Sequence, residues 1–255
     1  MRLLLLGCTG LVGRELVPIL SQEGHQLTLV SRRPRAAVAW ATDLGHDWLQ
    51  LDPAQASNWA QGGGLQQALE NADGVVNLAG EPIAEQRWTV AHRQLLNTSR
   101  LATTTHLVSA MQRLEQPPAV LVNASAVGFY GTSAEATFVE SSPAGDDLLG
   151  TLCRDWETAA SGRPDPTRLV VVRIGIVLAP EGGALGKMLP VFRAGFGGPI
   201  GSGRQWMSWI HRTDLCQLIL RALTDSRWSG VVNGVAPEPV SMATFASTLG
   251  RCLGR

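Results

Sequence analysis

Apolar and polar positions in the first thirty residues predict a strand, a helix and a second strand. Residues 3–6 and 26–30 have the character of short buried strands, and between them apolar side chains recur at helical spacing at Leu11, Val12, Leu16, Val17 and Leu20. Two strands joined by a helix are typical of a parallel β-α-β unit. The chain therefore begins as a parallel α/β protein.

The same alternation continues to the end of the chain. We predict strands at residues 73–77, 119–123, 169–174 and 230–233, and helices at residues 88–111, 148–160, 213–223 and from 241 onward. The segment 182–209 differs, because eight of the twenty-two residues from 182 to 203 are glycine. Such frequent glycine disfavours another β-α repeat, so we predict loops and short elements that form a substrate lobe.

Composition and charge narrow the classes of function. Hydrophobic residues make up 45% and charged residues 16% of the 255 residues, which is typical of a soluble globular protein. Twenty-one basic and twenty-one acidic residues cancel, so no overall field attracts nucleic acid or an anionic membrane. No apolar run approaches the ~20 residues that span a bilayer. We expect a small-molecule substrate, with a protein partner or a homodimer as further possibilities.

The cysteines show no pairing pattern. Cys8, Cys153, Cys216 and Cys252 lie far apart, and their spacing matches neither a zinc site nor a thioredoxin-like motif. We therefore expect free thiols in a reducing cytoplasm and no metal site.

Three glycines between the first strand and the first helix predict a dinucleotide site. Gly7, Gly10 and Gly13 are spaced by three residues. In a β-α-β unit the first allows the tight turn, the second lets the backbone approach a pyrophosphate, and the third lets the helix pack on the sheet. The helix N-terminus then offers free N–H groups to the phosphates. A tight turn without a ligand is the alternative, and the flanking strands and helix favour the site.

The end of the second strand indicates which dinucleotide binds. Sites for NAD usually carry an acidic residue here for the ribose hydroxyls, whereas this chain has Ser31, Arg32 and Arg33. A guanidinium suits a 2′-phosphate because it offers several donors and a fixed charge. We therefore predict NADP(H), with a solvated arginine pair as the alternative.

Small residues end the next strand, at Asn77, Leu78, Ala79 and Gly80. They let the backbone lie close to a ribose or a nicotinamide. The carboxyl end of a strand next to the first is where ligands of open α/β sheets bind.

Motifs along nearly the whole chain resemble those of the atypical and extended short-chain dehydrogenase/reductases, and within them the epimerase-like branch of family 39U. The segments that carry the resemblance are GCTGLVG (7–13), LVSRRP (29–34), NLAGEPI (77–83), Arg87-Trp88, Ser99-Arg100, Thr103-Thr104, Asp155-Trp156-Glu157, VVRIGIVL (171–178), GGPIGSGRQ (197–205), SWIH (208–211) followed by Asp214, and NGVAPEPV (233–240).

The resemblance implies a Rossmann-type, doubly wound parallel sheet that binds NADP(H) in residues 1–175. A smaller C-terminal substrate lobe would occupy residues 176–255, with elements returning to the main domain. By position, the cofactor would be held by Thr9 to Val12 at the pyrophosphate, Ser31 and Arg32 at the adenosine phosphate, Leu78 and Ala79 at the ribose, Arg100 from the long helix, and Val177 at the nicotinamide end. The family usually continues for several tens of residues, so we expect either that its C-terminal extension is missing after Arg255 or that the natural protein is short.

One departure from the superfamily governs the mechanism. Conventional members use a Tyr-x-x-x-Lys pair, in which lysine makes the phenol an acid and base near neutral pH. In this chain Tyr130, the sole tyrosine, is followed four residues later by Ala134, and the sole lysine is far away in the glycine-rich segment. We align Leu149 and Cys153 with the pair, and Arg100 with the usual active-site asparagine.

Other polar residues remain as candidates for catalysis. Ser125, at the end of a strand, could hydrogen-bond a substrate carbonyl with Tyr130 nearby, or both could simply complete the turn. Without a neighbouring cation Tyr130 would be a poor proton donor at neutral pH.

His211 could be an acid or base, or could cap the helix that begins near Thr213. Glu81 and Arg204 are candidates for substrate binding, the latter within a loop that could wrap a phosphate. That loop could also be mobile and bind nothing.

Two hypotheses follow. The first is an NADP(H)-dependent oxidoreductase or epimerase that acts on a small polar, possibly nucleotide-sugar-like, substrate without tyrosine and lysine. The second is a catalytically silent nucleotide sensor or partner-binding protein, since cyanobacterial and plastid relatives have been linked to cell division.

Overall fold

The structure, a computed structural model, describes residues 1–41 and 45–255. Its strands are β1 (Arg2–Leu6), β2 (Gln26–Ser31), β3 (Asp47–Gln50), β4 (Gly74–Asn77), β5 (Val120–Ala126), β6 (Arg168–Ile174), β7 (Ile176–Leu178), β8 (Trp206–Met207), β9 (Trp209–His211), β10 (Gly230–Gly234) and β11 (Val240–Ser241). Its α-helices are α1 (Gly13–Gln22), α2 (Gly64–Glu70), α3 (Val90–Met111), α4 (Leu148–Ser161), α5 (Gly183–Arg193), α6 (Arg212–Thr224) and α7 (Met242–Cys252).

Seven of the strands form one parallel sheet in the order β10-β6-β5-β4-β1-β2-β3. The chain runs outward from β1 to β3, returns to β4 on the other side of β1, and then runs outward to β10. This reversal confirms the predicted Rossmann-type, doubly wound fold. It also places a crevice between the carboxyl ends of β1 and β4, where ligands of such sheets bind.

The sheet is buried on both faces because successive side chains of each strand point to opposite sides. Along β1, Leu3 and Leu5 pack in the cluster that includes residues of α1 and α6, whereas Leu4 and Leu6 pack with residues of α2, α3 and α4. None of the helices within residues 1–41 and 45–255 is long and apolar enough to cross a membrane.

Several elements differ from the prediction: β3, α2, β7 and β11 were not predicted, and α5 was predicted as loops and short elements. β3 is an edge strand of four residues, and it was missed because its sequence, Asp-Trp-Leu-Gln, is too short and too polar to stand out. Residues 183–193 form the regular helix α5 where we predicted loops and short elements. Its Phe192 packs with Met207 and Met242, so tertiary contacts stabilise a helix that the surrounding glycines had obscured.

The elements after residue 175 pack in two separate parts of the structure. β10 pairs with β6 in the main sheet and α6 packs against α1, whereas α5 and α7 form a separate apolar cluster with β8 and β11. The proposed boundary after residue 175 stays a prediction.

Gly7 fixes the close approach of the β1 and β4 ends. Its φ is +82°, and a Cβ there would lie 2.5 Å from the carbonyl oxygen of Leu78. Gly13 packs equally closely, since its Cβ would lie 2.5 Å from the Gly7 carbonyl oxygen. The glycine spacing in the sequence thus serves backbone contacts that no larger residue allows.

We expect Gly7→Ala to destabilise the protein more than Gly24→Ala. Both glycines have positive φ, so alanine strains either backbone by about 1 kcal/mol. Only Gly7 adds a collision with backbone, because nothing lies within 4 Å of a Cβ at Gly24. Overpacking of this kind costs roughly 1–3 kcal/mol more. Urea unfolding of the two variants measures the difference, and equal losses would contradict the contact with Leu78.

Candidate functional site

The glycine turn between β1 and α1 presents free backbone donors at the carboxyl end of the sheet. Gly10 donates its N–H to the Gly7 carbonyl at 3.1 Å, and no side chain among the described residues caps α1. The first N–H groups of a helix lack intrahelical partners and carry partial positive charge. Thr9 is half-buried and Gly10 exposed, so the turn is open to an anionic ligand.

Leu11 and Val12 are predicted at the pyrophosphate, and Val177 is predicted at the nicotinamide end. All three lie close to one another beside the glycine turn. The side chain of Leu11 lies against Gly183 at the start of α5, at 2.9 Å from the position of a Cβ there. Val12 and Val177 are half-buried and pack against the same apolar cluster of the core. The loop after β7 therefore lies against the glycine turn.

At the end of β2, Ser31 and Arg32 occupy different environments. Ser31 is buried, and its Oγ accepts the N–H of Arg33 at 3.0 Å. The Arg32 side chain is 60% exposed and its Nη2 lies 3.3 Å from Oε2 of Glu81. Glu81, which we predicted as a substrate residue, thus contacts the arginine predicted to bind the adenosine phosphate.

A buried amide network fixes the end of β4. Asn77 Nδ2 donates to Oγ1 of Thr104 at 2.9 Å and to Oδ1 of Asn123 at 2.7 Å, and Asn77 Oδ1 accepts the N–H of Ala79 at 3.2 Å. Trp156 Nε1 also donates to Thr104 Oγ1. These bonds explain why the long helix carries threonine here, a role that the sequence motif alone did not reveal.

A cavity of about 180 Å³ lies beside the ends of β4, β5 and β6. Its lining includes the predicted residues Leu78, Ala79, Arg100 and Ser125, together with Gly80, Ile83, Ala124, Ala126, Gly128, Leu149, Leu152, Cys153, Trp156 and Ile174. A larger depression of about 580 Å³ is lined by Gln66 of α2 and by residues 113–116, on the segment that leads from α3 into the start of β5. We favour the smaller cavity, because α/β sheets bind ligands at the carboxyl ends of their strands.

Arg100 brings a positive charge to the cavity without an ion-pair partner among the described residues. Its guanidinium donates to the carbonyl oxygens of Leu96 at 3.2 Å and Glu81 at 2.9 Å, and its Cζ lies 5.3 Å from the Trp156 ring centroid. Burial lowers the pKa of Arg100. A buried cation held by carbonyls and an aromatic ring favours an anionic or strongly polar ligand.

Ser125, at the end of β5, is held by an acid that we had not assigned a role. Its Oγ donates to Oε1 of Glu157 at 2.6 Å. Arg173 binds the same carboxylate through two bonds, from Nε at 2.9 Å and from Nη2 at 2.8 Å. The signal was available, because Leu149, Cys153 and Glu157 are spaced by four residues and so share one face of α4.

Cys153, which we aligned with the conventional lysine, lines the cavity. Burial raises the pKa of its thiol, so this side chain is a neutral group in the cavity wall. It supplies neither the positive charge nor the proton transfer of a lysine.

Tyr130 serves the buried network, and it is not among the residues that line the cavity. Its Oη donates to Oδ1 of Asn233 at 2.6 Å and accepts from Nη1 of Arg173 at 2.9 Å. The expectation that no cation lies near Tyr130 was therefore wrong, since Arg173 is distant in sequence but adjacent in space. Tyr130 joins β6 to β10 through these bonds.

His211 and Arg204 also lie apart from the lining of the cavity. His211 is exposed and precedes α6, where its Nδ1 accepts the N–H of Thr213 at 3.3 Å, so the structure shows the capping alternative. Arg204 lies in an exposed loop, where its backbone N–H donates to Ser202 Oγ at 3.3 Å.

Comparisons with known proteins show the family of this chain. The family model described as "NAD dependent epimerase/dehydratase family" matches residues 3–233. The chain belongs to this family. Among curated relatives, human epimerase family protein SDR39U1 is 42% identical over 258 residues, covering 100% of this chain and 81% of that protein. The chloroplastic SDR39U1 homolog of Arabidopsis thaliana is 39% identical, covering 98% and 70%.

Solved structures place this epimerase-family chain in the same group. The crystal structure of human SDR39U1 (isoform 2) with NADPH matches at a TM-score of 0.87 and 41% identity, covering 100% of this chain and 81% of that one. A nucleoside-diphosphate sugar epimerase from Corynebacterium glutamicum matches at a TM-score of 0.77 and 33% identity, covering 99% and 51%. The resemblance to the epimerase-like branch is therefore confirmed.

We expect Glu157→Ala to destabilise this epimerase-family protein by roughly 3–5 kcal/mol, because it leaves the buried Arg173 charge without its carboxylate. Asp155→Ala, two residues earlier on the same helix, removes an exposed partner of Arg154 and should leave stability close to that of the wild type. Denaturant unfolding of both variants measures this. Similar stability for the two would show that water compensates Arg173.

Proposed function

We propose that this chain binds NADP(H) across the carboxyl ends of β1, β2 and β4, and acts as an epimerase-like oxidoreductase on a small polar substrate. The observation that carries the proposal is the hydrogen bond from Ser125 to Glu157 in the wall of the cavity beside Ala79 and Gly80. It supports the proposal because a polarised hydroxyl lies in the wall of a cavity lined by Ala79 and Gly80, where the sequence predicts that backbone lies close to a ribose or a nicotinamide.

The cofactor assignment is supported by three separate features. The glycine turn offers backbone donors for the pyrophosphate, Arg32 offers a cation for the 2′-phosphate, and Asn77 Oδ1 fixes the backbone after β4 by accepting the N–H of Ala79. The NADPH in the human SDR39U1 structure supports the same choice of cofactor. Bound in this way, the nicotinamide would supply hydride transfer to or from a substrate carbon.

The chain's own residues would handle the proton. Ser125 donates its hydroxyl proton to Glu157, and its Oγ has two acceptor lone pairs, one of which could accept a hydrogen bond from a substrate hydroxyl. When that hydroxyl becomes a carbonyl, its proton can pass to Ser125 Oγ while the serine proton passes to Glu157 Oε1. Glu157 thus replaces the missing Tyr-Lys pair as the proton acceptor, acting through Ser125.

The substrate would be small and polar near the reacting carbon. About 180 Å³ holds a compact group, and Arg100 favours a negative or oxygen-rich one. The match to a nucleoside-diphosphate sugar epimerase supports a nucleotide-sugar-like substrate. A silent nucleotide sensor or partner-binding protein remains the second candidate, because Leu149 and Cys153 line the cavity in place of tyrosine and lysine.

Turnover tests the catalytic part of the proposal. We expect NADPH oxidation with at least one member of a panel of aldehydes, ketones and nucleotide sugars, and a roughly hundredfold lower kcat in Ser125→Ala, the lower range for lost acid-base catalysis. Ser161→Ala is the control, since that hydroxyl bonds only the helix backbone among the described residues. If NADPH binds but is never oxidised, the sensor alternative is favoured.

Calorimetric titration tests the cofactor. We expect Arg32→Ala to weaken NADPH binding roughly tenfold, the low end for a charge-assisted bond, because this side chain is largely exposed. NADH binding should not weaken, since the backbone contacts of the glycine turn remain. An equal loss for both cofactors would show that Arg32 does not contact the 2′-phosphate.

A further inference from the structure

The ion pair between Arg32 and Glu81 lies across the carboxyl end of β1. Arg32 follows β2 and Glu81 follows β4, and these strands flank β1 on either side in the sheet. The pair joins Arg32 Nη2 and Glu81 Oε2 at 3.3 Å, 49 residues apart in sequence. A carboxylate is therefore present at the end of β2 in space, although the sequence places none there.

Arg32 and Glu81 differ in how freely their side chains can move. The Glu81 side chain is 16% exposed, and its backbone is fixed on both sides: its N–H donates to Ser99 Oγ at 3.0 Å and its carbonyl accepts from Arg100. The Arg32 side chain is 60% exposed. Glu81 is thus the fixed member, and Arg32 is a long side chain that can turn away from it.

We propose that Glu81 is a second residue that recognises the adenosine ribose, and that its carboxylate accepts hydrogen bonds from the ribose hydroxyls of NAD(H). Arg32 would then read the 2′-phosphate of NADP(H), and each would neutralise the other when not engaged. This inference rests on the proposed dinucleotide site. It follows from the chemistry of the two groups, since a carboxylate accepts from a diol but repels a phosphate, and a guanidinium does the reverse.

Cofactor preference then becomes a balance between the two residues. With NADP(H), Arg32 exchanges Glu81 for the phosphate, and the remaining carboxylate opposes the phosphate charge. With NAD(H), Glu81 gains two hydroxyl donors while Arg32 stays nearby. The pocket should therefore accept both cofactors, and Glu81 should limit the preference for NADP(H) that Arg32 creates.

The test is calorimetry on wild type, Glu81→Gln and Glu85→Gln with NADPH, NADH, 2′,5′-ADP and 5′-AMP. We expect Glu81→Gln to weaken the binding of NADH and of 5′-AMP roughly fivefold, because the variant loses a charge-assisted hydrogen-bond acceptor. The same change should strengthen the binding of NADPH and 2′,5′-ADP roughly threefold, because it removes a like charge whose effect on the phosphate is partly screened by Arg32 and solvent. Glu85→Gln removes a carboxylate of the same loop that pairs with Lys187, and should change none of the four.

Other results separate the possible failures. If Glu81→Gln weakens all four ligands alike, Glu81 only positions Arg32 and the loop, and the inference is wrong. If no ligand changes, Glu81 does not reach the ribose, and the inference is again wrong while the cofactor site stands. If wild type binds neither dinucleotide, the proposed function itself fails.

Discussion

A guanidinium buried within the sheet must be compensated, and much of the site is arranged by that need. Arg173, in β6, has a side chain that is only 4% exposed. Burial alone would lower its pKa, but hydrogen bonds with Glu157 and Tyr130 outweigh this and raise it. The Glu140 carbonyl takes a further bond, and the Phe129 ring lies 3.4 Å from the guanidinium carbon. One charge thus holds β5, α4 and the turn after β5 in fixed positions.

That compensation also determines what chemistry the cavity can support. The carboxylate that neutralises Arg173 is the one that receives the Ser125 proton, so a structural ion pair and a candidate proton acceptor share Glu157. Arg173 binds both oxygens of this carboxylate, and Oε1 also accepts from Ser125, so the candidate relay through Ser125 and the ion pair with Arg173 meet at the same group.

The sequence predicted features whose contacts are local. The glycine turn, the strands around it and most helices depend on neighbouring residues and on periodicity, so they were found from the pattern. The partners of Glu157 and Glu81 were not predicted, because they are distant in sequence: Arg173 lies 16 residues from Glu157, and Arg32 lies 49 residues from Glu81. Charged residues that pair in space but lie far apart in sequence produce no periodic pattern along the chain. The order of the strands in the sheet is what brings them together.

The short segment after β4 connects the two ends of the candidate cofactor site. The Leu78 carbonyl meets Gly7 at the glycine turn, where the pyrophosphate is proposed to bind. Three residues later, the Glu81 carboxylate faces Arg32 at the adenosine end, while its carbonyl oxygen accepts from Arg100 at the cavity. A shift of this backbone by even a fraction of an ångström would alter all three contacts together, since packed backbone cannot give way at one point alone. Recognition of the adenosine and placement of the reacting groups are therefore coupled through one segment, and the buried Asn77 network is what keeps that segment rigid.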